Sequence, residues 1–308
     1  MRILFMGTPD FAVKSLESLI ENKIIPVAVV TTPDKPQGRG LKLTHSKVKE
    51  KSLSLGLPIY QPEKLRDENF ISILKNLNLD LIVVVAFRIL PKELLSIPKY
   101  GAINLHASLL PKYRGAAPIN WAIINGENES GVTTFFLDEK TDTGKIIFQE
   151  KCKIENEISA GELYDLLAKI GSQLLIKTIC AIETGNTIEF SQNDFEATPA
   201  PKIFKKDCQI NWNSDTENIY NFIRGLSPFP TAWTTFKSKT LKIYKSKISK
   251  LDLENKKPGT IIKEKNKLYV ATPDGFLELL ELQIEGGKKI SGDEFIRGYQ
   301  FETANFGD

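Results

Sequence analysis

Leu79-Asp80-Leu81-Ile82-Val83-Val84-Val85-Ala86-Phe87 decides the fold. Apart from Asp80 near its start, every position is apolar. A strand with no polar face belongs inside a sheet covered on both sides, the signature of a parallel sheet. Toward the N-terminus, residues 67–77 read as a helix and 59–60 as a brief strand. Residues 48–55 read as a helix stopped by Gly56, and 24–30 as a β-branched strand ended by Thr32-Pro33-Asp34. Residues 2–6 are one more buried run. After it Gly7-Thr8-Pro9-Asp10 makes a turn, with Asp10 placed to cap a helix running to about Asn22. On the other side, residues 102–105 give a further strand. Apolar runs alternating with helices predict an α/β, Rossmann-like, doubly wound and mostly parallel sheet.

Farther along, residues 131–137 and 146–154 read as strands. Residues 160–184 carry Leu163, Leu166, Leu167, Ile170, Leu174, Ile179 and Ile182 at helical spacing, ended by Gly185. Residues 191–206 are polar, hold Pro199 and Pro201, and read as a linker. Then come five short strand-like runs, 231–236, 241–248, 259–263, 268–271 and 276–282, and a final helix at 293–298. Five short strands predict a small β-barrel of the oligonucleotide/oligosaccharide-binding (OB-like) kind. The expected organisation is a catalytic domain at 1–190, a linker at 191–206 and a C-terminal OB-like barrel at 207–308. A chain of 308 residues is long enough for two cores.

The content of 41% hydrophobic and 26% charged residues excludes collagen-like, disulfide-scaffold and wholly disordered chains. Cys152, Cys180 and Cys208 form no CxxC pair and read as free thiols of a reducing compartment. The longest strongly apolar run, 81–87, is far short of the ~18 residues of a spanning helix. No leader pattern opens the chain, and a soluble cytoplasmic protein is expected.

The first turn has one glycine where a dinucleotide fold would show GxGxxG, and Pro9 removes a donor. NAD or FAD binding is not expected, and the turn is either plain or the lining of a substrate cleft. Of the two histidines, His45 follows a glycine- and lysine-rich loop and reads as solvated. His106 follows an apolar run, and period two puts it on the same side as Asn104. Open α/β sheets bind ligands beyond the carboxyl ends of their strands. A polar pair there suits oxyanion stabilisation and proton transfer at a carbonyl, although a satisfied structural histidine has the same pattern. Asp142, in the turn 138–144, is the carboxylate that would orient the imidazole, or else brace its own loop. No metal-ligand spacing surrounds the histidine.

The net charge is only +3, so any nucleic-acid signal must be local. Residues 34–51 carry six basic residues against two acidic. Residues 237–267 carry eleven lysines against Asp252, Glu254 and Glu264. Each run is either a solvated face or a surface for phosphates.

Asn104-Leu105-His106-Ala107-Ser108-Leu109-Leu110-Pro111-Lys112-Tyr113-Arg114-Gly115-Ala116-Ala117-Pro118-Ile119, with Thr141-Asp142-Thr143-Gly144, resembles the signature of the folate-dependent formyltransferase family. The opening Ile3-Leu4-Phe5-Met6-Gly7-Thr8-Pro9-Asp10-Phe11-Ala12 and the loop Pro33-Asp34-Lys35-Pro36-Gln37-Gly38-Arg39-Gly40 resemble its branch acting on charged tRNA. The resemblance implies a catalytic set of Asn104, His106 and Asp142. It implies a 10-formyltetrahydrofolate donor along Ser108, Leu109, Leu110 and Pro111, and no metal. It also implies initiator methionyl-tRNA as partner, contacted by a basic loop at about 33–49 with Lys35, Arg39 and Lys42. The implied activity is formyl transfer to the α-amine of the tRNA-borne methionine for translation initiation, by a monomer. The chain departs from the family pattern at Ala86-Phe87-Arg88-Ile89-Leu90-Pro91, one residue shorter and without the usual glycine. One rival is a relative acting on a small sugar or ribonucleotide amine; the basic loop and the lysine-rich barrel argue against it. A second is a non-catalytic RNA-binding protein, against which all three catalytic residues speak.

Overall fold

The computed structural model describes residues 1–37, 42–250, 256–299 and 305–306. The chain divides into two compact units. The first gathers Met1–Gly115, Ser130–Cys152 and Tyr164–Ala200; the second gathers Ala116–Glu129, Lys153–Leu163 and Pro201–Asp308. These are not contiguous halves. Residues 191–200, read from sequence as linker, belong to the first unit, and two segments of the stretch expected to be the catalytic domain belong to the second.

The first unit runs β1 (Ile3–Gly7), α1 (Asp10–Glu21), β2 (Ala28–Val30), β3 (Lys35–Gln37), β4 (Lys42–Thr44), α2 (Lys47–Ser54), β5 (Ile59–Tyr60), α3 (Glu68–Asn76), β6 (Leu81–Val85), α4 (Lys92–Leu95), β7 (Ala102–His106) and β8 (Arg114–Gly115). Its sheet has the order β10-β9-β7-β6-β1-β2-β5, where β9 is Glu129–Phe136 and β10 is Ile146–Lys153. From β7 to β5 all neighbours are parallel; β9 joins β7 antiparallel. Every residue of β1 and β6 is buried, as expected of strands covered on both faces. Asp80 stands at the amino end of the quoted stretch, where its carboxylate accepts from the Arg2 amide at 2.6 Å.

One expectation is corrected at α1. Pro9 occupies the cap position and Asp10 is the first helical residue, making no side-chain cap. Its charge instead complements the helix N-terminus. The basic loop is not wholly loop either: β3 and β4 pair antiparallel, Lys35 opposite Thr44 and Gln37 opposite Lys42.

In the second unit α5 (Pro118–Ile124) packs on α7 (Thr216–Leu226), and the Asn120 amide donates to the Gly225 carbonyl at 2.7 Å. The helix α6 (Ala160–Glu183) and the short β11 (Pro199–Ala200) precede α7 in sequence. The strands β12 (Ala232–Phe236), β13 (Lys239–Ser249), β14 (Ile261–Glu264), β15 (Lys267–Thr272) and β16 (Gly275–Ile284) form an antiparallel sheet of order β12-β13-β16-β15-β14. The short β17 (Ile290–Ser291) joins β16, and α8 (Gly292–Gly298) follows. The five expected runs are these five strands. The sheet is an open path in which β12 and β14 are the ends, rather than a barrel closed by strand pairing among the described residues. Its inner face packs Phe236, Leu241, Ile243, Leu268, Val270, Leu277 and Leu279 with Phe295. On β13, Leu241 and Ile243 point inward. An irregularity between Ile243 and Ser246 then shifts the register, leaving Lys245 and Lys247 exposed. Of the described lysines from 237 to 267, all are exposed except Lys242, which is half-buried. No helix among the described residues is long and apolar enough to cross a membrane.

Candidate active site

The strands β1, β6 and β7 are neighbours and end on the same edge, because they run parallel. That edge concentrates polar atoms that lack partners. Six buried side-chain N or O atoms among the described residues make no hydrogen bond. Three of them, Thr8 Oγ1, Arg88 Nε and Asn104 Oδ1, lie on β7 or just beyond the carboxyl ends of β1 and β6. Unpaired buried polar atoms cost free energy unless water or a ligand satisfies them, and the carboxyl edge is where open α/β sheets bind ligands.

Asn104 and His106 share one side of β7, as the two-residue period requires. His106 is 6% exposed. Its Nε2 lies 2.9 Å from the Tyr113 carbonyl, which a ring N–H must meet by donating. The other ring nitrogen, Nδ1, lies 3.8 Å from Asp142 Oδ2. That is too long for a direct hydrogen bond but close enough for charge to act. Asp142 is also buried, and its Oδ2 accepts from the Gly115 amide at 2.9 Å. Its backbone is left-handed, with φ of 55°. Two residues on, Gly144 has no room for a side chain: a Cβ there would lie 1.6 Å from the Phe136 carbonyl oxygen.

The turn after β7 is tied down throughout. Ser108 Oγ donates to the Lys112 carbonyl at 2.7 Å, Thr133 Oγ1 donates to the Ser108 carbonyl at 2.6 Å, and the Leu110 amide donates to Thr133 Oγ1 at 3.1 Å. Gln149 donates to the Leu110 carbonyl at 2.8 Å, and Leu110 packs against Phe135 and Ile146. The Ser108 and Leu110 side chains therefore hold the turn together, while Leu109 and Pro111 remain half-buried on it.

Sequence reasoning missed the wall formed by residues 192–200. The Tyr113 amide donates to Thr198 Oγ1 and the Arg114 amide to the Thr198 carbonyl, both at 2.9 Å, and β8 pairs with β11 in parallel. Gln192 Nε2 donates to the carbonyls of Asp142 and Gly144 at 2.9 and 2.8 Å. Local pattern offered no signal for this, because each partner lies about fifty residues or more away in the chain.

Among the basic residues singled out from sequence, Lys35 is exposed on β3 and Lys42 lies on β4; Arg39 lies outside the described residues. His45 is less free than expected. Its Nδ1 is 3.1 Å from Asp34, which also pairs with Lys49 and accepts from Gln61. Lys49 first, then Gln61 and His45, hold the Asp34 carboxyl down at about 2. Arg88 donates to the carbonyls of Glu63 and Pro62 at 2.9 and 2.8 Å, and partial burial lowers its pKa.

Comparison with known proteins gives this geometry its relatives. A family model described as "Formyl transferase" matches residues 1–179, and "Formyl transferase, C-terminal domain" matches residues 202–300. A methionyl-tRNA formyltransferase of Bacteroides fragilis is 46% identical over 315 residues, covering 99% of this chain and 97% of that protein. One of Thermodesulfovibrio yellowstonii is 48% identical over 298 residues, covering 96% and 95%. Among solved structures, WlaRD, a sugar 3N-formyl transferase crystallised with dTDP and 5-N-formyl-THF, superposes with a TM-score of 0.68. At 22% identity, over 94% of this chain and 99% of that one, it is a likeness of fold. With both family models matched and near-half identity along almost its whole length, the chain belongs to the methionyl-tRNA formyltransferase family.

Proposed function

We propose that this protein transfers a formyl group from 10-formyltetrahydrofolate to the α-amine of methionine esterified to initiator tRNA, in the cytoplasm. The observation that supports the reading is His106 Nδ1 facing Asp142 at 3.8 Å, with Asn104 on the same side of β7 carrying an unpartnered buried oxygen. The transfer forms a C–N bond to the methionine amine and breaks the formyl bond to the folate nitrogen. One proton must leave the amine and one must reach that nitrogen. The donor supplies an activated formyl carbon whose oxygen gathers negative charge as the amine adds.

Asn104 would donate its amide N–H to that oxygen, an interaction typically worth about 3–4 kcal/mol of barrier. His106 is anchored through Nε2 on the Tyr113 carbonyl, so the ring atom left for chemistry is Nδ1. With Asp142 facing it at 3.8 Å, Nδ1 can hold a proton against the developing charge or pass one on. Asp142, held by the Gly115 amide, orients the ring and balances its charge. Ser108, Leu109, Leu110 and Pro111 form the turn along which the folate would lie. Lys35, Arg39 and Lys42 would meet the acceptor end of the tRNA, and the lysines of 237–267 its phosphates.

Formylation assays with charged initiator methionyl-tRNA, charged elongator methionyl-tRNA and an amino sugar nucleotide test the reading. Initiator methionyl-tRNA should be the best substrate by kcat/KM, and Asp142→Asn should be strongly impaired on it. Faster transfer to the sugar amine would assign the protein to a different substrate class.

A further inference from the structure

We propose that Gln192 is a positioning residue for formyl transfer, holding the Asp142 turn so that the carboxylate stays opposite His106. The proposal rests on the reading of Asn104, His106 and Asp142 as the catalytic set. The Gln192 carboxamide spends its full hydrogen-bonding capacity. Nε2 donates to the Asp142 carbonyl at 2.9 Å and the Gly144 carbonyl at 2.8 Å. Oε1 accepts from Arg114 Nε at 3.1 Å and Nη2 at 2.8 Å. One NH2 group thus fixes two peptide planes of the turn, at a residue whose left-handed backbone needs holding. Arg114 is braced from beyond by Asp194 at 2.8 Å and precedes Gly115, whose amide bonds the Asp142 carboxylate. The ring of interactions closes: Gln192 to Asp142, Asp142 to Gly115, Arg114 back to Gln192. Tyr113, next in the same segment, supplies the carbonyl that anchors His106. One side chain in the stretch read from sequence as linker therefore holds the turn of the carboxylate, and through Arg114 it touches the segment that anchors the imidazole, which Thr198 also ties down.

The chemistry of the site asks for an amide. A glutamate would still accept from Arg114 but would set an oxygen against two carbonyls. A methionine would fill the space and do neither. The decisive experiment is a double-mutant cycle on the full chain, combining Gln192→Glu with Asp142→Asn and measuring kcat and KM for charged initiator methionyl-tRNA, with thermal unfolding as the check on folding. Gln192→Met is run in parallel, so that a charge placed badly in a folded protein is separated from removal of the clamp. Gln192→Glu should lower kcat by about tenfold to a hundredfold with little change in KM. In the Asp142→Asn background it should cost nothing further, because the residue it positions no longer carries charge. A purely structural Gln192 would lower the unfolding temperature and multiply with Asp142→Asn, and that result overturns the proposal. So does wild-type kcat in both Gln192 variants while Asp142→Asn is impaired. If the unmodified protein does not formylate methionyl-tRNA, the functional reading falls, and the positioning role with it.

Discussion

The carboxyl edge of the first unit's sheet and the outer face of the C-terminal sheet are both polar, but they are made differently. On the edge, polar atoms are buried, few and individually placed. Asp142 adopts a left-handed backbone, Gly144 stands where no Cβ fits, and Asn104 keeps a buried oxygen without a partner. On the C-terminal sheet lysines stand exposed above an apolar inner face, some of them, such as Lys267 with Glu278, paired with glutamates. On the proposed reading the first arrangement acts through position, so one displaced atom would disable the site. The second would act through number, because charges in water sum as a field and are screened alike.

The sharpest way to break this contrast is Asn104→Ala or His106→Ala. Each should cut single-turnover formylation at least ~100-fold, since the oxyanion then has one donor fewer. His106 is buried and hydrogen-bonded, so circular dichroism must show that the variant remains folded. Rates near wild type for both would place the edge in the same class as the lysine face.

Next in size is Gly144→Ala. Its Cβ would collide with the Phe136 carbonyl, so the turn must shift, at a cost of about 1–3 kcal/mol in denaturant unfolding, with activity falling as Asp142 moves. By contrast, Lys245→Ala and Lys247→Ala should each change stability by less than ~0.5 kcal/mol. Equal destabilisation in the two regions would remove the distinction.

The lysines should show themselves only in bulk. Replacing Lys245, Lys247 and Lys263 together by glutamine should weaken binding of initiator and elongator tRNA alike. The salt dependence should flatten by about one unit for each phosphate no longer neutralised. Discrimination between the two tRNAs should instead respond to Arg39→Lys, which keeps the charge but not the planar fork. A changed preference in the lysine variant and none in Arg39→Lys would reverse these roles.

The smallest effect expected is at Asp34, a single placed carboxylate within a basic segment. Its folded pKa of about 2 lies below the usual 3.8. Its pairing with Lys49, Gln61 and His45 therefore adds stability above the usual value, and that gain disappears as pH falls through about 2. The unfolding midpoints of wild type and Asp34→Asn, compared from pH 6 downward, should converge across that window. A constant difference would mean that the ionised form is not what the pairing stabilises.

How much of this was legible in the sequence depends on the range of the cause. The central strand, the helix from 160, the five C-terminal strands and the shared face of Asn104 and His106 follow from side-chain periodicity, a property of neighbours in the chain. The pairing of His106 with Asp142 needed a family signature, because periodicity says nothing about residues thirty-six apart. Tertiary structure alone decided three things. Asp10 is the first residue of its helix rather than its cap, since Pro9 takes the cap position. The C-terminal sheet runs β12-β13-β16-β15-β14, an order no local pattern encodes. The polar stretch at 191–200 pairs with β8 and closes on the Asp142 turn instead of spanning a gap. A segment without an apolar period looks unstructured until its partners are known. Its order comes from hydrogen bonds to distant backbone, and those exist only once the sheet edge has folded.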